Sequence, residues 1–168
     1  MQENTGFQGT AKPLYTSDER ARRDATRWTL VQGVLAPLQF LVFLVSLVLV
    51  LRYLHTGTGE TAATVSIVIK TLLLYTIMIT GCIWEKVVFG RYLFAPSFFW
   101  EDVFSMLVLA LHTAYLVALL SGSLPVREQM LLALAGYAAY TINAAQFLLK
   151  LRTARLESGQ QPSGEVPA

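Results

Sequence analysis

Glu85, Glu101 and Asp102 are the residues of this sequence whose type and spacing best suit chemistry, and Lys86 and Arg91 lie between them. Each carboxylate borders a long apolar run. Two carboxyls held in different protonation states form an acid/base pair, one giving a proton and the other taking one. The purely structural alternative places Glu101 and Asp102 at the positive end of a helix and pairs Glu85 with Lys86 at an interface. Aromatic rings crowd the same stretch: Trp84, Phe89, Tyr92, Phe94, Phe98, Phe99 and Trp100. An aromatic belt at a membrane surface is the bland reading of these rings. Charge and flat ring surface concentrated at such a boundary also suit a large, flat, amphipathic molecule. His112 lies farther along the third apolar run. Its imidazole could ligate a metal, including the magnesium of a tetrapyrrole, or bond to a neighbouring helix.

The elements that must position these residues are membrane helices. Apolar residues make up 54% of the 168-residue chain and charged residues only 14%. A soluble domain carries about 25% charged residues. Apolar runs predict spans over about 28–54, 61–87, 101–123 and 127–151, each reaching the length of about 20 residues that a bilayer requires. The expected fold is an all-α integral membrane protein, a single domain over 16–155 with four transmembrane helices in an antiparallel bundle. Segments 1–15 and 156–168 are polar and expected to be disordered. The polar N-terminal stretch has no signal-peptide pattern.

Ten cations flank the spans on one side: Lys12, Arg20, Arg22, Arg23, Arg27, Lys86, Arg91, Lys150, Arg152 and Arg155. Arg52 and Arg127 lie on the other. The positive-inside rule then places both termini and the aromatic-rich loop between helices 2 and 3 in the cytoplasm. Thr16 and Glu19 have capping-box spacing, so a short helix should run from about residue 17 through the arginines into the first span. Pro37 should kink that span. Lys70 should snorkel to the outer interface. A net charge of +2 without a basic face excludes nucleic acid as a partner. One cysteine, Cys82, and two distant histidines, His55 and His112, offer no metal-ligand spacing.

Each span carries one narrow polar stripe. Gln32, Gln39 and Ser46 recur every seven residues on the first, as do Thr71, Met78 and Glu85 on the second. Glu101, Ser105 and His112 share a face of the third, and Gly136, Tyr140, Asn143, Gln146 and Lys150 a face of the fourth. Four inward stripes suit a bundle, with hydrogen bonds between helices as their simplest use.

Several long strings resemble one family. They are Ile83-Trp84-Glu85-Lys86-Val87-Val88-Phe89-Gly90-Arg91-Tyr92-Leu93-Phe94-Ala95-Pro96 with Phe98-Phe99-Trp100-Glu101-Asp102, and Arg23-Asp24-Ala25-Thr26-Arg27-Trp28-Thr29-Leu30-Val31-Gln32-Gly33 with Leu35-Ala36-Pro37-Leu38-Gln39-Phe40. Leu111-His112-Thr113-Ala114-Tyr115 and Asn143-Ala144-Ala145-Gln146-Phe147-Leu148-Leu149-Lys150 join them. Together they are similar to the 3-vinyl (bacterio)chlorophyllide hydratases of bacteriochlorophyll biosynthesis. The resemblance implies a hydro-lyase of the bacterial inner (cytoplasmic) membrane. Such an enzyme adds water to the 3-vinyl group of chlorophyllide a or 3-vinyl bacteriochlorophyllide a, giving a 3-(1-hydroxyethyl) product. It implies no redox or nucleotide cofactor, and the only magnesium is the substrate's own. It leaves room for association with other pigment-biosynthesis enzymes.

Alkene hydration needs an acid for the terminal carbon and a base for the attacking water. It also needs negative charge near the cation that forms beside the macrocycle. Glu101 is the expected acid and Glu85 or Asp102 the base, with the order open to reversal. Trp84, Tyr92, Phe98, Phe99 and Trp100 would pack on the chlorin. Arg91 or Lys86 would pair with its propionate. His112 would ligate its magnesium only if the ring descends well below the loop. The alternatives are a non-catalytic pigment carrier or assembly factor using the same pocket, and a small four-span transporter.

Overall fold

Uninterrupted apolar runs bounded by glycine turns fold into long helices. The computed structural model describes residues 14–159. It comprises α1 (Ser17–Ala25), α2 (Arg27–Thr56), α3 (Glu60–Phe89), α4 (Phe99–Ser121) and α5 (Val126–Gly159). Four of these, Arg27–Thr56, Glu60–Phe89, Phe99–Ser121 and Val126–Thr153, are long and apolar enough to cross a membrane. Of the disorder expected at 1–15 and 156–168, residues 1–13 and 160–168 lie outside the described residues, whereas Tyr15 is buried and 156–159 continue α5.

The capping box at Thr16 forms: its hydroxyl accepts from the Glu19 amide, and the Glu19 carboxylate accepts from the Thr16 amide at 2.8 Å. The expected continuous helix into the first span does not. Thr26 is extended (φ −87°, ψ 137°) and ends α1 while capping α2. Thr29 donates its hydroxyl back to the Arg23 carbonyl at 2.6 Å across this break. α1 therefore turns onto α3, where Arg22 Nε donates to the Val88 carbonyl at 2.8 Å. Pro37 lies within α2 without interrupting it. Gly90 closes α3 at φ 78°, a left-handed conformation that other residues adopt only with strain.

α2 packs along α3 and α4 along α5, and the two hairpins meet more lightly through α2–α5 and α3–α4. Their shared core joins Phe43 and Val50 to Ala63 and Ile67, Tyr115, Met130 and Tyr137. The Ser46 hydroxyl bonds those of Tyr137 at 2.5 Å and Ser66 at 2.7 Å, and Gln32 donates to Thr80 at 2.7 Å. The first polar stripe thus faces inward, as its spacing implied. The opposite faces expose Leu30, Leu41, Val45, Val48, Ile79, Val117 and Leu120, an apolar perimeter suited to lipid rather than water.

Lys70 departs from expectation. It does not reach the outer interface but is fully buried, with its ammonium 3.9 Å above the Tyr140 ring and no hydrogen-bond acceptor among the described residues. The cause is helical register. Lys70 shares the inward face of α3 with Ile67, Thr71 and Leu74, all buried, so its stem starts inside the bundle.

Candidate active site: a carboxyl cluster beneath the aromatic loop

Glu85 sits one turn before the end of α3, and Glu101 and Asp102 lie in the first turn of α4. The turn between them folds these ends together, and all three carboxylates are buried at 4%, 5% and 7% exposure. Glu85 Oε1 accepts from the Ala95 amide at 2.5 Å, and Asp102 Oδ2 accepts from the Phe94 amide at 2.7 Å. The Phe94 and Ala95 amides are consecutive, so the two carboxyls that accept from them converge on one stretch of the loop. Ionised carboxylates only accept, so a direct bond between the two forms only when the pair carries one proton. Phe94 is held at φ 58°, in the left-handed region, which costs a non-glycine residue about 1–3 kcal/mol. Asp102 thus pins a strained loop residue instead of capping its own helix.

Glu101 takes a different partner. Its Oε2 accepts from Lys150 Nζ at 2.6 Å, and Lys150 also donates to the Ser97 carbonyl. Lys86 and Arg91, the cations nearest these acids in the sequence, make no ion pair with them among the described residues. Lys86 donates to the Gly90 carbonyl at 2.8 Å and lies 5.2 Å from the Tyr92 ring, while Arg91 is exposed. Lys150 is 49 residues from Glu101 and comes from α5, so nothing local pointed to it. Its membership of the polar stripe with Asn143 and Gln146 was the available signal.

The aromatic residues divide into two sets. Trp84 and Phe98 belong to an interior cluster with Tyr15, Phe89 and Phe147. Phe98 meets Trp84 edge-on at 5.8 Å and stacks on Phe147 at 5.9 Å. Trp84 Nε1 donates to Thr29 at 2.9 Å, and Tyr15 stacks on Phe89 at 5.7 Å. Burial pushes the Tyr15 phenol above its ordinary value, so it packs as a neutral ring. These residues cement α1, α3, the loop and α5. Tyr92, Phe99 and Trp100 are exposed by 61%, 45% and 65%, with Phe94 against Phe99. This second set presents the more exposed ring surface for a flat ligand.

His112 stands apart from the carboxyls, eleven residues or roughly 16 Å along α4 from Glu101. It is buried, and its Nδ1 donates to the Val108 carbonyl at 2.8 Å, leaving Nε2 as an acceptor without a donor among the described residues. Its ring packs against Tyr137 and against Gly136, where an added Cβ would lie 3.0 Å from the imidazole. Here it serves the close approach of α4 to α5. No group of three or more His, Cys, Asp or Glu able to hold a metal occurs among the described residues.

Acids that can carry and receive a proton, an ion pair and an exposed aromatic shelf converge where the two hairpins join. Residues 15–153 match the profile of the 2-vinyl bacteriochlorophyllide hydratases. The 2-vinyl bacteriochlorophyllide hydratase of Rhodobacter capsulatus is 70% identical over 155 residues, covering 92% of this chain and 90% of that protein. The protein of the same name from Cereibacter sphaeroides is 73% identical over 144 residues, 86% and 89% of the two chains. No solved structure matches the chain. By profile and by identity along nearly its whole length, the chain belongs to the 2-vinyl bacteriochlorophyllide hydratase family.

Proposed function

We propose that this chain adds water to the vinyl group of chlorophyllide a or of its vinyl bacteriochlorophyllide counterpart, giving the 1-hydroxyethyl product. The position counted as 2 in the family name and as 3 above is the same substituent under two numberings of the macrocycle. The observation that carries the mechanism is the convergence of Glu85 and Asp102 on the adjacent Ala95 and Phe94 amides, beside the separate Glu101–Lys150 ion pair. It favours the reversed order of roles. The Glu85–Asp102 pair holds the proton and delivers it to the terminal vinyl carbon. Positive charge then forms on the carbon joined to the macrocycle, where the ring π-system spreads it. Glu101 supplies negative charge nearby and takes the proton released when water attacks. Its partner Lys150 orients it.

Tyr92, Phe99 and Trp100 form the shelf for the chlorin face, and exposed Arg91 is placed for the propionate. The carboxyls are buried under residues 94–95, so access to them requires the loop backbone to give up its bonds to Glu85 and Asp102. The substrate's magnesium needs no protein ligand in this scheme. Following the cation distribution, the loop faces the cytoplasm, the termini lie on the same side, and the chain resides in the bacterial inner membrane.

A pigment carrier is the second reading, favoured by one observation: the carboxyls already have structural work in pinning the loop. Supplying chlorophyllide a to membranes that contain the protein separates the two. A hydratase shifts the red absorption band to shorter wavelength and adds the mass of one water. Bound but unchanged chlorophyllide would overturn the enzyme reading.

A further inference from the structure

We propose that the amide oxygens of Asn143 and Gln146 hold the water molecule that attacks the substrate. This rests on the hydration reading above. α4 and α5 run antiparallel and are joined by two polar rungs. Lys150 bonds Glu101 at 2.6 Å, and Asn143 Nδ2 donates to Ser105 Oγ at 2.9 Å. Ser105 is one helical turn beyond Glu101 on α4. On α5, Asn143, Gln146 and Lys150 share a face, so Gln146 lies between the two rungs along the helix. Asn143 is nine-tenths buried. Asn143 Oδ1 and Gln146 Oε1 are both inaccessible and accept no hydrogen bond among the described residues.

Two buried acceptors about one helical turn apart on α5 call for a donor. The substrate cannot supply it. The central nitrogens of a vinyl chlorophyllide bind magnesium, its ring oxygens are carbonyls, and its ionised propionate only accepts. Water is the donor the reaction brings, and the hydroxyl formed from it is the next. A water that gives one hydrogen to the amides and the other to Glu101 directs its lone pairs away from them, as a nucleophile must.

The step balances without any further reagent. The alkene π pair forms a C–H bond with the proton from the Glu85–Asp102 pair. A water lone pair then forms the C–O bond to the cation, and the proton that water sheds passes to Glu101. The amides cannot take that proton, so their role is to hold and aim the water.

The test runs in D2O with membranes containing the full chain and chlorophyllide a. Gln146→Met and Asn143→Leu each remove one acceptor at similar volume. Wild type converts nearly every protonated substrate to alcohol. In the variants, pigment binding is retained and kcat falls on the order of 100-fold. The cation then outlives its chance of capture and returns its proton, so recovered vinyl substrate carries deuterium on the terminal carbon. A packing role would not produce this exchange. Unchanged turnover in both variants, slowed turnover without deuterium in the vinyl group, or loss of pigment binding in both overturns the proposal. Absence of hydration by wild type instead overturns the function on which it rests.

Discussion

Glu85 accepts from the Ala95 amide and, in the proposed mechanism, also delivers the proton, and substitution can separate the two. Glutamine at this position keeps an oxygen for the Ala95 amide but cannot deliver a proton. Alanine keeps neither. Glu85→Ala is therefore expected to loosen residues 91–97 and speed limited proteolysis there, whereas Glu85→Gln leaves the cleavage pattern unchanged. Lys150 gives a second expectation. Lys150→Met leaves the Glu101 carboxylate buried without its cation and the Ser97 carbonyl without its donor. Losing the partner of a buried charge costs about 3–5 kcal/mol. Lys150 is about a quarter exposed, which screens the pair, so a loss of roughly 1–3 kcal/mol is expected as a lower unfolding midpoint in detergent. The convergence of Glu85 with Asp102 was legible because consecutive membrane helices must run antiparallel. The contribution of Lys150 was not, since spacing along a chain does not say which helix of the other hairpin lies beside α4. The split among the aromatics was hidden for a similar reason. Phe98 and Phe99 are adjacent in sequence, yet one faces Phe147 and the other faces out.

At the level of elements, the four spans and their polar stripes followed from composition and period, because lipid leaves little choice of backbone structure. Two features escaped that logic. The break at Thr26 depends on side-chain bonds that compete with the helix: the Trp28 amide donates to the Thr26 hydroxyl, and the Thr29 hydroxyl to the Arg23 carbonyl. The burial of Lys70 depends on which face of α3 meets α5. Its ammonium finds only the Tyr140 ring, so Lys70→Met is expected to be neutral or to stabilise by up to about 4 kcal/mol. A clear drop in unfolding temperature would contradict this. Gly136 tests the α4–α5 approach. Alanine there gains about 1 kcal/mol of helix propensity. Its Cβ would meet His112 at 3.0 Å, and that ring is fixed by Val108 and Tyr137. Overpacking costs about 1–3 kcal/mol, so Gly136→Ala is expected to destabilise slightly, and His112→Ala in the same chain to relieve it.

Across the whole molecule, chemistry gathers at one end of the bundle. The other end closes with short turns at Gly57 and Gly122. In the proposed topology, which follows the distribution of cations, this end is cytoplasmic. A single introduced cysteine at Arg91 is expected to react with an impermeant maleimide only in inside-out vesicles, and one at Thr58 only in right-side-out cells. The reverse pattern would invert the topology.

The most direct measurement of the central claim follows chlorophyllide a in membranes carrying wild type, Glu85→Gln or Asp102→Asn, by absorption and mass. Both substitutions keep an acceptor for the loop and remove the shared carboxyl proton. The expected result is hydrated product from wild type, with pigment bound but unchanged in both variants at rates reduced by about 10²–10⁴. Hydration at the wild-type rate by both variants would contradict the account.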